Sequence, residues 1–177
     1  MESLILKPID TPKGIFLKIL YWYSKISFGK VIAPIKIIYS RAPKLIAVAQ
    51  SLEKAEKSLS LSSKLVSLIK AFVSPKNECA FCNDIAIAMA VKKKIGKDLF
   101  KDLEFFSESP HYLESEKIAL QYISEILENK RASDSTIEKM KLHFNEKEIV
   151  EITWVYAMEV YYNSMGKPFG LTSDGLS

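Results

Sequence analysis

Cys79 and Cys82 are the only cysteines of the chain, and they stand in the run Asn77-Glu78-Cys79-Ala80-Phe81-Cys82. Two cysteines placed at random would fall at this spacing in roughly 1% of chains, so the spacing carries information. A structural disulfide across two intervening residues closes a very short loop, removes little entropy from the unfolded chain and does not persist in a reducing compartment. Structural zinc takes four ligands, of which the pair supplies two. The only histidines, His111 and His143, lie at no metal-ligand spacing, so no metal is expected. Cycling between dithiol and disulfide fits the spacing, because such motifs commonly depress a thiol pKa. Two small buried hydrophobes on a helix fit it as well, and spacing alone does not choose between these two.

The elements around the pair read as helices. Ser62 to Phe72 carries Leu65, Leu68, Ile69 and Phe72 on one stripe. Val73-Ser74-Pro75-Lys76-Asn77 reads as a breaker, and the next helix is expected to open with Asn77 as N-cap and to end near Gly96. On that frame Cys79 is the second helical residue and Cys82 the fifth, and residues three apart share a face. The free amide protons and dipole of the first turn favour a thiolate, at Cys79 above all. Asp84 lies about 200° around the helix from Cys82, so it cannot easily serve as its base within the helix. Position 86, four residues on, has the right geometry but holds Ala86.

Downstream, a short helix is expected over Leu99 to Phe106 and an amphipathic one over 115–129, with Ala119, Tyr122, Ile123, Ile126 and Leu127. Ser135-x-x-Glu138 and Asn145-x-x-Glu148 resemble capping boxes. The last long helix, from Ile149 to about Tyr162, is apolar on nearly every side, which suits a central helix or one at a subunit interface. With 6 Gly and 7 Pro, strand-and-turn architectures are poorly supplied, and the expected class is all-α.

The chain has 177 residues, 48% apolar and 26% charged, with a net charge of +4. That excludes collagen-like and low-complexity chains and argues against wholesale disorder. Mean hydropathy is +0.04, and the apolar stretch from Ile15 to Tyr39 is broken by four lysines, so no transmembrane span is expected. Arg41 and Arg131 are the only arginines, which argues against bidentate reading of nucleic acid. Residues 1–50 carry eight basic side chains against Glu2 and Asp10. We therefore divide the chain into a basic, aromatic helical arm, 1–58, and a core, 59–177. Phe16, Tyr21, Trp22, Tyr23 and Phe28 interleave with lysines in the arm. Such a pattern serves a membrane surface, a nucleic acid, or packing on the core or a sister subunit with lysine stems snorkelling. Packing is favoured, because the lysines do not gather on one helical face. No signal peptide is apparent, and the cytoplasm is the default address. No glycine-rich phosphate loop is present, so no organic cofactor is expected.

Over about residues 60–170 the chain resembles the AhpD-like alkylhydroperoxidases of the carboxymuconolactone decarboxylase superfamily. The run from Val73 to Cys82 resembles the segment leading into their redox pair. Ser115 to Leu120, His143 to Trp154 and Tyr161-Tyr162-Asn163 resemble three downstream motifs, in the same order. The resemblance implies an all-helical, oligomeric AhpD-like fold and a thiol-dependent peroxidase, an oxidoreductase of antioxidant type. Cys82 would attack a peroxide oxygen and Cys79 would resolve the sulfenate as a disulfide. A hydroperoxide is then the substrate and a dithiol or redox protein the electron donor. The family's relay glutamate and histidine fall on Ser67 and Ala86 here. Glu78 and Asp84 are the acidic candidates nearest the pair, with His111 and His143 available only if the fold brings them close. The alternative is a non-catalytic oligomeric binding or structural protein that kept the fold.

Overall fold

The computed structural model describes residues 4–177, and it is all-helical among them. Seven α-helices follow in order: α1 (Ile15–Phe28), α2 (Leu45–Lys57), α3 (Ser63–Lys76), α4 (Ala80–Lys92), α5 (Glu114–Asn129), α6 (Asp134–His143) and α7 (Glu146–Gly166). A π-helical turn, Ile35–Tyr39, joins α1 to α2, and short 3-10 turns occupy Lys97–Phe100, Leu103–Phe105 and Lys167–Phe169. The single short helix expected over Leu99 to Phe106 is thus two 3-10 turns. None of the helices is long and apolar enough to cross a membrane.

The centre of the fold is α3. Leu65, Val66, Leu68, Ile69, Phe72 and Val73 are all buried, and the helix packs on α4, α5 and α7. Ile118, Leu120 and Ile123 of α5, Met140 of α6, and Ile152 and Val155 of α7 complete this main core. Side chains of this size stabilise by roughly 1.5–3 kcal/mol each when fully buried. The sequence suggested for α7 either the central place or a subunit interface, and the central place falls to α3. Helix α7 is half-buried along much of its length and leaves Val150 exposed.

The caps follow side-chain chemistry. Ser62 opens α3 by accepting the Leu65 N–H, and Asn145 and Glu148 form the expected reciprocal box at α7. At α6 the cap is Ser133, which accepts the Thr136 N–H, rather than Ser135. Glu116 closes the first turn of α5, accepting the Leu113 N–H at 2.9 Å and the Lys64 ammonium at 2.8 Å.

The expected breaker before the cysteines is not where α3 stops. Pro75 lies in the last turn of α3, and Asn77 is its C-cap, not the N-cap of the next helix. The N–H of Glu78 bonds to the Pro75 carbonyl and that of Cys79 to the Ser74 carbonyl, both at 2.9 Å. Those two bonds, around a residue in the left-handed region, are the Schellman arrangement that ends a helix. The left-handed residue is Glu78, with φ 55°. Cys79 follows at once as the N-cap of α4, its sulfur accepting the Cys82 N–H at 3.4 Å. The pair therefore sits two positions earlier in its helix than the sequence suggested. Glycine is the usual occupant of the left-handed place because it carries no Cβ. The Glu78 side chain makes an exposed ion pair with Lys167, a kind that adds little. Glu78→Gly is thus expected to raise the melting temperature by about 2 °C and Glu78→Val to lower it by at least as much, read by thermal circular dichroism.

Candidate active site

Cys79 and Cys82 are joined as a disulfide, with their Cα atoms 5.3 Å apart. They are 1% and 4% exposed. A second apolar cluster, separate from the main core, encloses them. The arm contributes Tyr21, Ile35, Ile37 and Ile38, α4 contributes Phe81, and the C-terminal tail contributes Leu171. The last turn of α7 closes the remaining side through Gly166. A Cβ there would stand 3.5 Å from the Cys79 sulfur and 3.8 Å from the Cys82 sulfur, in ordinary van der Waals contact, so α7 passes directly beside the pair.

The cysteines lie where α4 begins, and four N–H groups of a helix start have no intrahelical partner. Cys79 takes one of them through its sulfur. In the reduced state this favours a thiolate at Cys79, because an N-cap acceptor with negative charge meets both the free amide and the positive end of the helix dipole.

Neither acidic candidate bonds a sulfur. The Glu78 carboxylate is turned to Lys167, whose ammonium donates to it and holds its pKa below the usual range. The Asp84 carboxylate is buried under the C-terminal tail. It accepts the Ser173 hydroxyl at 2.9 Å, the Leu176 N–H at 2.9 Å and the Ser177 N–H at 2.8 Å. Burial pushes its pKa up, but these hydrogen bonds outweigh burial and hold it below the ordinary carboxylate range. Asp174 extends the same tail to the arm, accepting the Ala33 N–H at 2.7 Å and, on its backbone carbonyl, the Lys30 ammonium. The tail thus staples arm to α4 across the disulfide. His111 pairs with Asp102 at 3.5 Å on the surface, and His143 ends α6, exposed. Ser67 spends its hydroxyl on the Ser63 carbonyl, and Ala86 is buried in the main core. Among the described residues no group of three or more His, Cys, Asp or Glu is placed to hold a metal ion.

Sequence reasoning missed one acidic residue beside this turn. Glu159 of α7 is buried and accepts from the Asn163 amide at 2.9 Å and from Ser74 at 2.7 Å. Asn163 in turn accepts the Asn77 amide at 2.8 Å. The chain of bonds therefore runs from α7 to the α3 C-cap, two residues before Cys79. The Ser74 hydroxyl also lies 2.8 Å from the Lys70 carbonyl. One hydroxyl proton cannot serve two acceptors fully, so the Ser74 hydroxyl is shared between the Lys70 carbonyl and the Glu159 carboxyl. Burial also pushes the Glu159 pKa up, only partly offset by Lys70, Ser74 and Asn163. Its place on a strongly apolar helix, four residues before Asn163, was the available signal.

Comparisons with known proteins agree with this architecture. No family model matches the chain. It is 29% identical over 119 residues to the uncharacterized protein YdfG of Bacillus subtilis (strain 168), a stretch covering 66% of this chain and 81% of that protein. Among solved structures, a protein of unknown function from Agrobacterium tumefaciens, for which an antioxidant defence role as an AhpD has been proposed, superposes with a TM-score of 0.71 at 26% identity. That match covers 77% of this chain and 96% of the other. The debrominase Bmp8 superposes with a TM-score of 0.79 at 14% identity, over 98% of this chain and 94% of its own. The latter likeness is one of fold, and it takes in the arm as well as the core. The chain has the AhpD-like fold that its motifs implied, and a paired-cysteine disulfide in that fold is consistent with a redox role.

Two outcomes test the surroundings of the pair. Because the Asp84 pKa is lowered on folding, the tail bonds are fully present above the unfolded value of about 3.9 and are lost as pH falls through the lower folded one. Asp84→Ala is expected to speed reduction of the disulfide by a phosphine roughly tenfold at neutral pH, and acid below the carboxylate range to do the same to wild type, followed by thiol labelling. Glu159 has a raised pKa, so wild-type stability falls as pH rises above the unfolded carboxylate value of about 4.3. Glu159→Gln should flatten that slope in denaturant titrations, whereas Glu159→Ala should cost about 1–3 kcal/mol by orphaning Asn163.

Proposed function

We propose that the chain is a thiol oxidoreductase that reduces a hydroperoxide through Cys79 and Cys82. The observation that supports this reading above others is the disulfide itself, formed between a helix N-cap and the residue three further on. The Cys82 thiolate attacks one oxygen of the hydroperoxide. The O–O bond breaks, the alcohol leaves with a proton, and Cys82 is left as a sulfenic acid. The Cys79 thiolate attacks that sulfur and displaces water after protonation, forming the disulfide. An external dithiol then returns two electrons and leaves as its own disulfide.

The cap geometry supports this division of labour. Cys79 is the sulfur stabilised as an anion, which suits a resolving nucleophile in the first half of the cycle and a leaving group in the second. The donor therefore attacks Cys82. Asp84 acts through position, by holding the tail over the pair, while the Glu78 carboxylate is occupied by Lys167 and takes no part in the chemistry. The antioxidant defence role proposed for the Agrobacterium protein is in keeping with a peroxide substrate.

A second reading is a protein that kept the fold and lost the chemistry. It is favoured by the near-complete burial of both sulfurs and by the absence, among the described residues, of any carboxylate or imidazole bonded to them. General-base help is typically worth 10²–10⁴-fold, and turnover without it would be slower by about that factor.

Peroxide consumption with a dithiol reductant separates the two. Under the redox reading Cys82→Ser falls to the uncatalysed rate, and Cys79→Ser completes one turnover and stops as a sulfenic acid that dimedone traps. A wild-type rate equal to that of Cys82→Ser would establish the second reading.

A further inference from the structure

Helix α1 is apolar on two sides. Its inner side, with Leu17, Tyr21 and Ser24, is buried. Its outer side presents Ile15, Phe16, Ile19, Trp22, Tyr23 and Ile26, each between 53% and 79% exposed. Six side chains of roughly 150–250 Å² each, a little over half exposed, make a patch on the order of 600–700 Å². That exceeds what a monomer ordinarily leaves bare, and it approaches the roughly 800 Å² per partner of a stable interface.

The spacing of the patch is that of a coiled-coil seam. Ile15, Ile19, Trp22 and Ile26 follow one another by four, three and four residues, the alternation of d and a positions over two heptads. On this register Phe16 and Tyr23 are both e, and Lys18 and Lys25 are both g; α1 holds no acidic residue. The register decides the partner. In an antiparallel pair g faces g, which sets lysines against lysines with no carboxylate to offset them. In a parallel pair g of one helix faces e of the other five residues on, which sets Lys18 over an aromatic ring, a favourable cation–π contact.

We infer that the outer face of α1 binds the same face of a second copy, as a parallel two-fold pair with Trp22 at its centre and Lys18 of each copy over Tyr23 of the other. A lipid surface suits the face less well. Within α1 only Lys18 and Lys25 flank it, both on one edge. Lys57 of α2 comes near Tyr23 but is paired with Glu53, and the ammonium groups of Lys30 and Lys92 at its C-terminal end are taken by carbonyl oxygens. The inference stands apart from the redox reading, since it uses neither cysteine.

Sedimentation velocity and engineered cross-linking test it on the full chain. Wild type should sediment as a dimer, and Ile19→Glu should weaken association roughly a hundredfold or more by burying an unpaired charge, with circular dichroism unchanged. Tyr23→Glu should keep the dimer, because the new carboxylate meets a lysine. The native cysteines are buried in their own disulfide. Ile15→Cys and Ile26→Cys should therefore each form a covalent dimer alone under mild oxidant, as only a parallel pair allows. If Ile19→Glu fails to fold, the two cysteine variants still decide. A monomeric wild type, a dimer that Ile19→Glu leaves intact, cross-linking only when both cysteines are present, or flotation of a monomer with phosphatidylserine vesicles would each overturn the inference.

Discussion

Two helices joined through Asn77, Glu78 and Cys79 must satisfy the last carbonyls of one and the first amides of the other within three residues. The left-handed turn at Glu78 does this. It bends the backbone so that the Glu78 and Cys79 N–H groups return to α3, while the Cys79 sulfur faces forward onto the Cys82 N–H. The proximity of the sulfurs and their position at a helix start both descend from that turn. Asn77, at its beginning, is fixed from outside by Asn163, so the turn is braced by α7 as well as by its own bonds.

Chemistry and enclosure stand in tension at this site. A sulfur that attacks a peroxide has to be reached, yet both sulfurs lie in an apolar cluster closed by arm, tail and α7. Around that apolar cluster the rim is fastened by polar bonds through Asp84 and Asp174. Such a rim lets a closed site open without dismantling the main core, whose apolar contacts do not depend on those bonds.

Much of the helical frame was legible because apolar spacing reports directly on a core face. The stripes in α3 and α5 and the Asn145 box are cases where local and tertiary preferences agree. The start of α4 was misplaced by two residues. Pro75 is read as a breaker from local preference, yet α3 carries it in its last turn and ends at Lys76, and Asn77 suits a C-cap as well as an N-cap. The cysteine pair was visible as a motif, and its mutual proximity followed from any helical frame. What encloses it was not visible, because the enclosing segments come from residues 31–39 and 166–176, far away along the chain. Asp84 was legible as a nearby acid and illegible as an anchor, since its partners are the last residues of the sequence. Glu159 was hidden by the apolar helix that carries it.

The existence of two separate apolar clusters bears on the order of assembly. The main core is built from α3 to α7, one continuous stretch of the chain. The second cluster needs segments from both ends of the chain, brought together across a separation of 141 residues between Ala33 and Asp174. Contacts of such high sequence separation carry a larger closure entropy and form late. The nascent chain would accordingly pass through a state in which α3 to α7 are assembled and both thiols still face solvent, the stage at which an oxidant in the surroundings could set the bond before the termini dock.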